Sequence, residues 1–229
     1  MPNDMPYDIH LELGNKKIFA CAVEWPGWCR SGRDEDTAID TLIAYASRFS
    51  DILKSTDLPF VLPRGVSDFS IVERVEGNFS TSFGTPNVPI SSDSNPLNDA
   101  EIHRFTTILK ACWQAFDKAV EAAEGKELRK GPRGGGRELS EIVDHVANAE
   151  MGYVRRLGCS AIVAKEEDIR KRQPYIHREV LNCIEASARG QFPLEGSQRI
   201  KLWPLPYFIR RVAWHVVDHT WEIEDRIIS

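Results

Sequence analysis

No two of the five cysteines in this 229-residue chain are separated by only two residues, so the paired thiolates of a zinc ribbon are missing. Cys21, Cys29, Cys112, Cys159 and Cys183 are odd in number and scattered, which argues against a disulfide framework. Buried or half-exposed free thiols are expected, with Cys29 the most accessible because PGWC reads as a turn. No apolar run reaches the length of a membrane span. The opening MPNDMPYDIH lacks both the basic start and the apolar centre of a secretory signal, and the expected location is the cytoplasm. An excess of positive charge is also absent. The net charge of −5 and the pI near 5.7 offer no overall attraction to nucleic acid or to an anionic membrane. What remains is an ordinary globular composition, 42% hydrophobic and 28% charged, and 25.9 kDa is enough for one large domain or two small ones.

The character of the chain changes near residue 95. Before it, YDIHLEL and FSIVERVEG alternate as strands do, and KKIFACAVEW continues with apolar and β-branched residues. Between them, DEDTAIDTLIAYASRFSDIL places Ala38, Leu42, Tyr45 and Phe49 at helical spacing behind an acidic first turn. Residues 84–97 hold three prolines among Ser, Asn and Asp with no apolar period and read as a linker. The expectation is an α+β chain: a small mixed domain over 1–83, the linker, and a four-helix bundle over 98–229.

Four helical patterns support the bundle. One, over about 98–124, carries Ile102, Phe105, Leu109, Trp113, Phe116 and Val120 on a single stripe. The next, about 138–157, carries Ile142, His145, Ala149 and Tyr153 and stops at Gly158; the third, about 166–189, carries Ile169, Ile176, Val180 and Ile184. The last, about 206–227, contains WHVVDHTWEIEDR. In it, His215 and His219 stand one turn apart, so their imidazoles leave the same face and can reach one point. His145 lies on the core-facing period of its own helix and is the third ligand candidate. Three neutral imidazoles on two helices suit zinc with an open position, or nickel, and carry more chemistry than closed structural sites.

GGGRELSEIVDHVANAEMGYVRRLG followed by RRVAWHVVDHTWEIEDR resembles the DinB-like superfamily, four-helix bundles in which one histidine of the second helix and a His pair of the fourth bind a divalent metal. The likeness covers about residues 98–229 and carries the metal-ligand role onto His145, His215 and His219. It implies a metalloenzyme, since members include thiol-dependent S-transferases and isomerases; the expected reaction is thiol-dependent transfer or hydrolysis on a small molecule. The first half, KKIFACAVEWPGWCRSGRDEDTAIDTLIAYASRF, resembles the HicB-like fold through Pro26, Gly27, Gly32 and Ala38. Antitoxins of that kind continue into a DNA-binding tail, whereas here a helical bundle follows. The likeness therefore implies an oligomerisation, lid or ligand-binding module, and a homodimer is compatible with both halves.

Each remaining feature has two readings. Glu222, one turn beyond His219, is a base, an outer acceptor or a fourth ligand, or else a surface charge; Asp218 orients an imidazole or is merely solvated. The loop from Lys126 to Arg137, with Arg129, Lys130 and Arg133 among glycines, lacks the spacing of a phosphate-binding loop. It is a basic rim attracting an anionic substrate, or a solvated connection. Trp203, Trp214 and Trp221 line a pocket or fill the core. His10, His103 and His177 have no partner at ligand spacing and are taken as structural. Two functions fit: an enzyme with a metal on the three histidines, or a non-catalytic protein whose first half recognises a partner.

Overall fold

The computed structural model describes residues 7–131, 136–160, 169–191 and 201–228. The chain opens with β1 (Tyr7–Leu13), β2 (Ile18–Ala22) and β3 (Cys29–Gly32), each antiparallel to the one before. Helices α1 (Glu35–Ala44) and α2 (Ala46–Leu53) follow, and then β4 (Phe69–Glu76), which returns parallel to β1. The sheet order is β3-β2-β1-β4. Asp34 caps α1 by accepting the Thr37 N–H at 2.8 Å, with Glu35 and Asp36 in the positive first turn. The sequence pattern reads α1 and α2 as one helix. Tyr45 separates them, although its amide still bonds the carbonyl of Thr41 and its carbonyl accepts from Phe49.

Strand alternation divides the sheet into two faces. Ile9, Leu11, Ala20 and Ala22 pack with Ala38, Leu42 and Phe49 of α1 and α2. Tyr7, Trp28, Phe49, Phe60 and Phe69 add a run of ring contacts, and the Trp28 indole N–H donates to the Leu42 carbonyl at 2.9 Å. The opposite face presents His10, Glu12, Phe19 and Cys21 towards the last helix of the chain.

The second half comprises α4 (Asp99–Ala123), α5 (Leu139–Tyr153), α6 (Ile169–Ala188) and α7 (Leu205–Arg226), after a short helix α3 (Phe79–Ser82). Asn98 caps α4 with the Glu101 N–H, and Pro206 stands in the first turn of α7, where its missing N–H costs nothing. Helix α7 is buried nearly all round, because α4, α5 and α6 pack on it from one side and the sheet from the other. Apolar residues of the sheet, α1, α2 and the bundle form one continuous cluster. Residues 84–97 lie against both halves. The Asn87 and Val88 amides donate to Glu12, Ile90 is buried, and Asp93 pairs with Arg210 of α7 at 2.7 Å.

The cysteine expectation is overturned. Cys21 and Cys29 are register partners on β2 and β3, with Cα atoms 4.0 Å apart, and form a disulfide; Cys159 and Cys183 form a second. Cys112 alone is free, and burial pushes its thiol up to about 12. Pairing of Cys21 with Cys29 follows from strand register, which spacing along the chain does not reveal. Among the described residues no helix is long and apolar enough to cross a membrane.

Candidate metal centre

Helix α5 carries His145 between the buried Ile142 and Val146, and α7 carries His215 and His219. The three rings meet. Their centroids are 5.0 Å (145 to 215), 5.0 Å (145 to 219) and 4.7 Å (215 to 219) apart, and one ring nitrogen from each lies within 4.8 Å of the other two. The Nε2 atoms of His145 and His215 are 3.1 Å apart. Two zinc–nitrogen bonds of about 2.0–2.1 Å at a tetrahedral angle hold their nitrogens about 3.3 Å apart, so this spacing already matches a shared cation.

The protonation state suits the same purpose. Burial, followed by the charge of neighbouring His219 and Arg211, holds His215 well below the ordinary histidine value. Burial, with Arg137 and His219 behind it, also lowers His145. A metal needs neutral imidazoles, and burial favours that form for His145 and His215. Nδ1 of His219 donates to Oε2 of Glu222 at 2.7 Å, which leaves Nε2 as its free nitrogen. Glu222 is in turn held by Arg226 at 2.6 Å, and Arg226 donates to the carbonyls of Arg129 and Arg137. The His219 bond and the Arg226 guanidinium hold Glu222 below the usual carboxylate range. Nδ1 of His215 is buried without a hydrogen-bond partner among the described residues, so this ring lacks the outer acceptor that Glu222 gives His219. The residues present fit a divalent metal.

Other residues singled out in the sequence are placed as follows. Glu222 reaches His219 as an outer acceptor. Asp218 pairs with Arg30 of β3 at 3.2 Å, tying α7 to the sheet, and makes no hydrogen bond to an imidazole among the described residues. Trp214 packs edge-on against Phe19, Trp221 against Tyr45, and Trp203 against Tyr153 and Tyr207. In the loop, Arg133 lies outside the described residues, and Lys130 pairs with Glu138 at 3.4 Å. His177 stacks on Trp113 with centroids 4.0 Å apart, beside the fully buried Glu150, which accepts the Trp113 indole N–H at 2.5 Å. Arg226 and Arg211 were missed. Arg226 carries a readable signal, since it follows Glu222 by four residues on a helix. Arg211 precedes His215 by four, and its guanidinium lies 5.1 Å from the Tyr153 ring, itself 5.8 Å from His215.

Fold and site together define a mixed α/β region followed by a helical bundle with a buried three-histidine cluster able to chelate a metal. Comparison of the chain with protein-family models, with curated proteins and with solved structures gave no match.

Proposed function

We propose that this chain is a divalent-metal-dependent enzyme of the DinB-like type, which holds zinc or nickel on His145, His215 and His219 and performs thiol-dependent transfer or hydrolysis on a small molecule. The observation that carries the reading is the convergence of three ring nitrogens from two helices, with Nε2 of His145 and His215 3.1 Å apart. When bound, the ion supplies Lewis acidity towards an oxygen or sulfur ligand. The chain's own residues orient and insulate. Glu222 fixes the tautomer of His219, Arg226 clamps Glu222 to the ends of the preceding loop, and Tyr153 and Trp203 wall the neighbourhood with aromatic surface. The first 83 residues are proposed as a HicB-like module. Support comes from the order β2, Pro26-Gly27 turn, β3 and the acid-capped α1.

Elemental analysis of the full chain expressed with added zinc or nickel tests the metal. About one equivalent per chain, lost in His215→Ala, is expected; a content that His215→Ala leaves unchanged sinks the site. A panel of low-molecular-weight thiols and electrophiles, with His215→Ala as control, tests turnover. Stoichiometric metal with no turnover leaves the chain as a metal-binding protein whose first half serves a partner.

A further inference from the structure

A mostly apolar cavity with a few polar groups in its wall lies between the sheet and α7. It is a cavity of about 30 Å³ whose polar lining comes from His10 and Glu12 of β1 and from Tyr207, Arg210 and Arg211 of α7, beside Trp214. Space of about 10–15 Å³ on the same measure admits one water, so the cavity takes a group of two or three heavy atoms. Most of its charges already have partners. Glu12 accepts from the Thr81 hydroxyl and from the amides of Asn87 at 2.8 Å and Val88 at 3.1 Å. Arg210 is paired with Asp93 at 2.7 Å.

Arg211 is different. It is 8% exposed, and the rings of Tyr153 and Trp214 stand 5.1 and 4.7 Å from its guanidinium carbon. Aromatic rings attract the cation but accept none of its in-plane N–H groups in the way an oxygen does. Its Nε and Nη1 are enclosed with no hydrogen-bond partner among the described residues, and so is Nδ1 of His10, which is 4% exposed. Glu12 attracts Arg211 from a distance, but its oxygens are committed elsewhere. A buried guanidinium lacking acceptors is among the least favourable arrangements a fold can carry, and a buried polar group without a partner marks the place of a missing one.

We propose that this cavity binds one small monoanion, a halide or formate, held by Nε and Nη1 of Arg211 with Nδ1 of His10 as a further donor. Arg211 supplies charge-assisted hydrogen bonds, His10 a neutral one, and the volume excludes larger acids. None of the three histidines lines the cavity, although Arg211 is near enough for its charge to lower His145 and His215.

Calorimetric titration of the full-length His145→Ala chain, which lacks an intact histidine cluster, tests the proposal with sodium formate and, separately, sodium chloride as probes. Saturable binding of one anion per chain is expected with at least one of them, and the probe that saturates identifies which anion the site prefers. Arg211→Met in the same background should weaken it by about ten- to hundredfold, the loss of charge-assisted bonds. Circular dichroism checks that this variant is folded. If it is not, crystals of the wild-type chain grown with the anion that saturated decide, bromide standing in for chloride, since that anion is expected inside the cavity beside Arg211. No saturable heat with either salt overturns the proposal; so does binding that Arg211→Met leaves unchanged, or a crystal grown with the saturating anion whose cavity holds only water.

Discussion

His145 was legible because it keeps the period of Ile142, and a histidine on the inward stripe of a bundle helix needs a partner. Its partners are the two rings of α7. Glu222 was left between a base, an outer acceptor, a fourth ligand and a surface charge, and the geometry puts its carboxylate on Nδ1 of His219. Replacing it with Gln keeps the shape and removes the charge. Metal affinity of Glu222→Gln, read by competition with a chelating dye, should therefore fall by about 10- to 100-fold; an unchanged affinity removes Glu222 from the site. His10 was read as structural, with nothing to indicate how deeply it is enclosed. Burial, with Arg210 nearby, lowers it to about 3 from the ordinary 6.5. Between those values the unfolded chain takes up a proton that the folded chain refuses. The stability present above the unfolded value is thus lost as pH falls, by about 2 kcal/mol at pH 5. Urea midpoints at pH 7 and pH 5 should draw together in His10→Gln, and equal losses in variant and wild type rule this out.

At the scale of elements, period and caps located the helices because those signals are local. Phe105, Leu109, Trp113 and Phe116 form one buried stripe on α4, and Asp34 caps α1 as the acidic start implied. Pairing is another matter. Nothing in FSIVERVEG states that β4 lies parallel to β1, or that Cys21 faces Cys29, because each is decided by residues distant along the chain. The Pro26-Gly27 turn shows the difference. Its turn character is written in the dipeptide, whereas its depth is not. Gly27 has φ of +99°, and a Cβ there would stand 3.1 Å from Val217 of α7 and 3.3 Å from Cys112 of α4. Gly27→Ala combines an unfavourable backbone with overpacking at the joint between sheet and bundle, and should cost about 1–3 kcal/mol. A melting temperature equal to that of the wild type would show that the joint yields.

Across the whole molecule, all four strands of the sheet lie before residue 95 and the long bundle helices after it, but the change of character there could not show what joins the two halves. Composition makes residues 84–97 look like solvated chain, since Ser, Asn, Asp and Pro dominate. Yet Asp93 is buried against Arg210, and Glu12 is held by amides of the same segment. A second ion pair, Arg30 with Asp218, links β3 to α7 with the aspartate side chain 41% exposed. These two bridges should differ greatly in weight. Water screens the pair at Asp218, so Asp218→Asn should cost no more than about 1 kcal/mol. Asp93→Asn instead leaves the Arg210 guanidinium buried and uncompensated, and a loss of about 3–5 kcal/mol is expected. Because one apolar cluster runs through the sheet and the bundle, that loss should lower a single urea transition, with tryptophan fluorescence and helical circular dichroism falling together. If Asp93→Asn separates the two signals, the segment couples halves that fold independently; if it costs no more than Asp218→Asn, the buried pair does not hold the halves together.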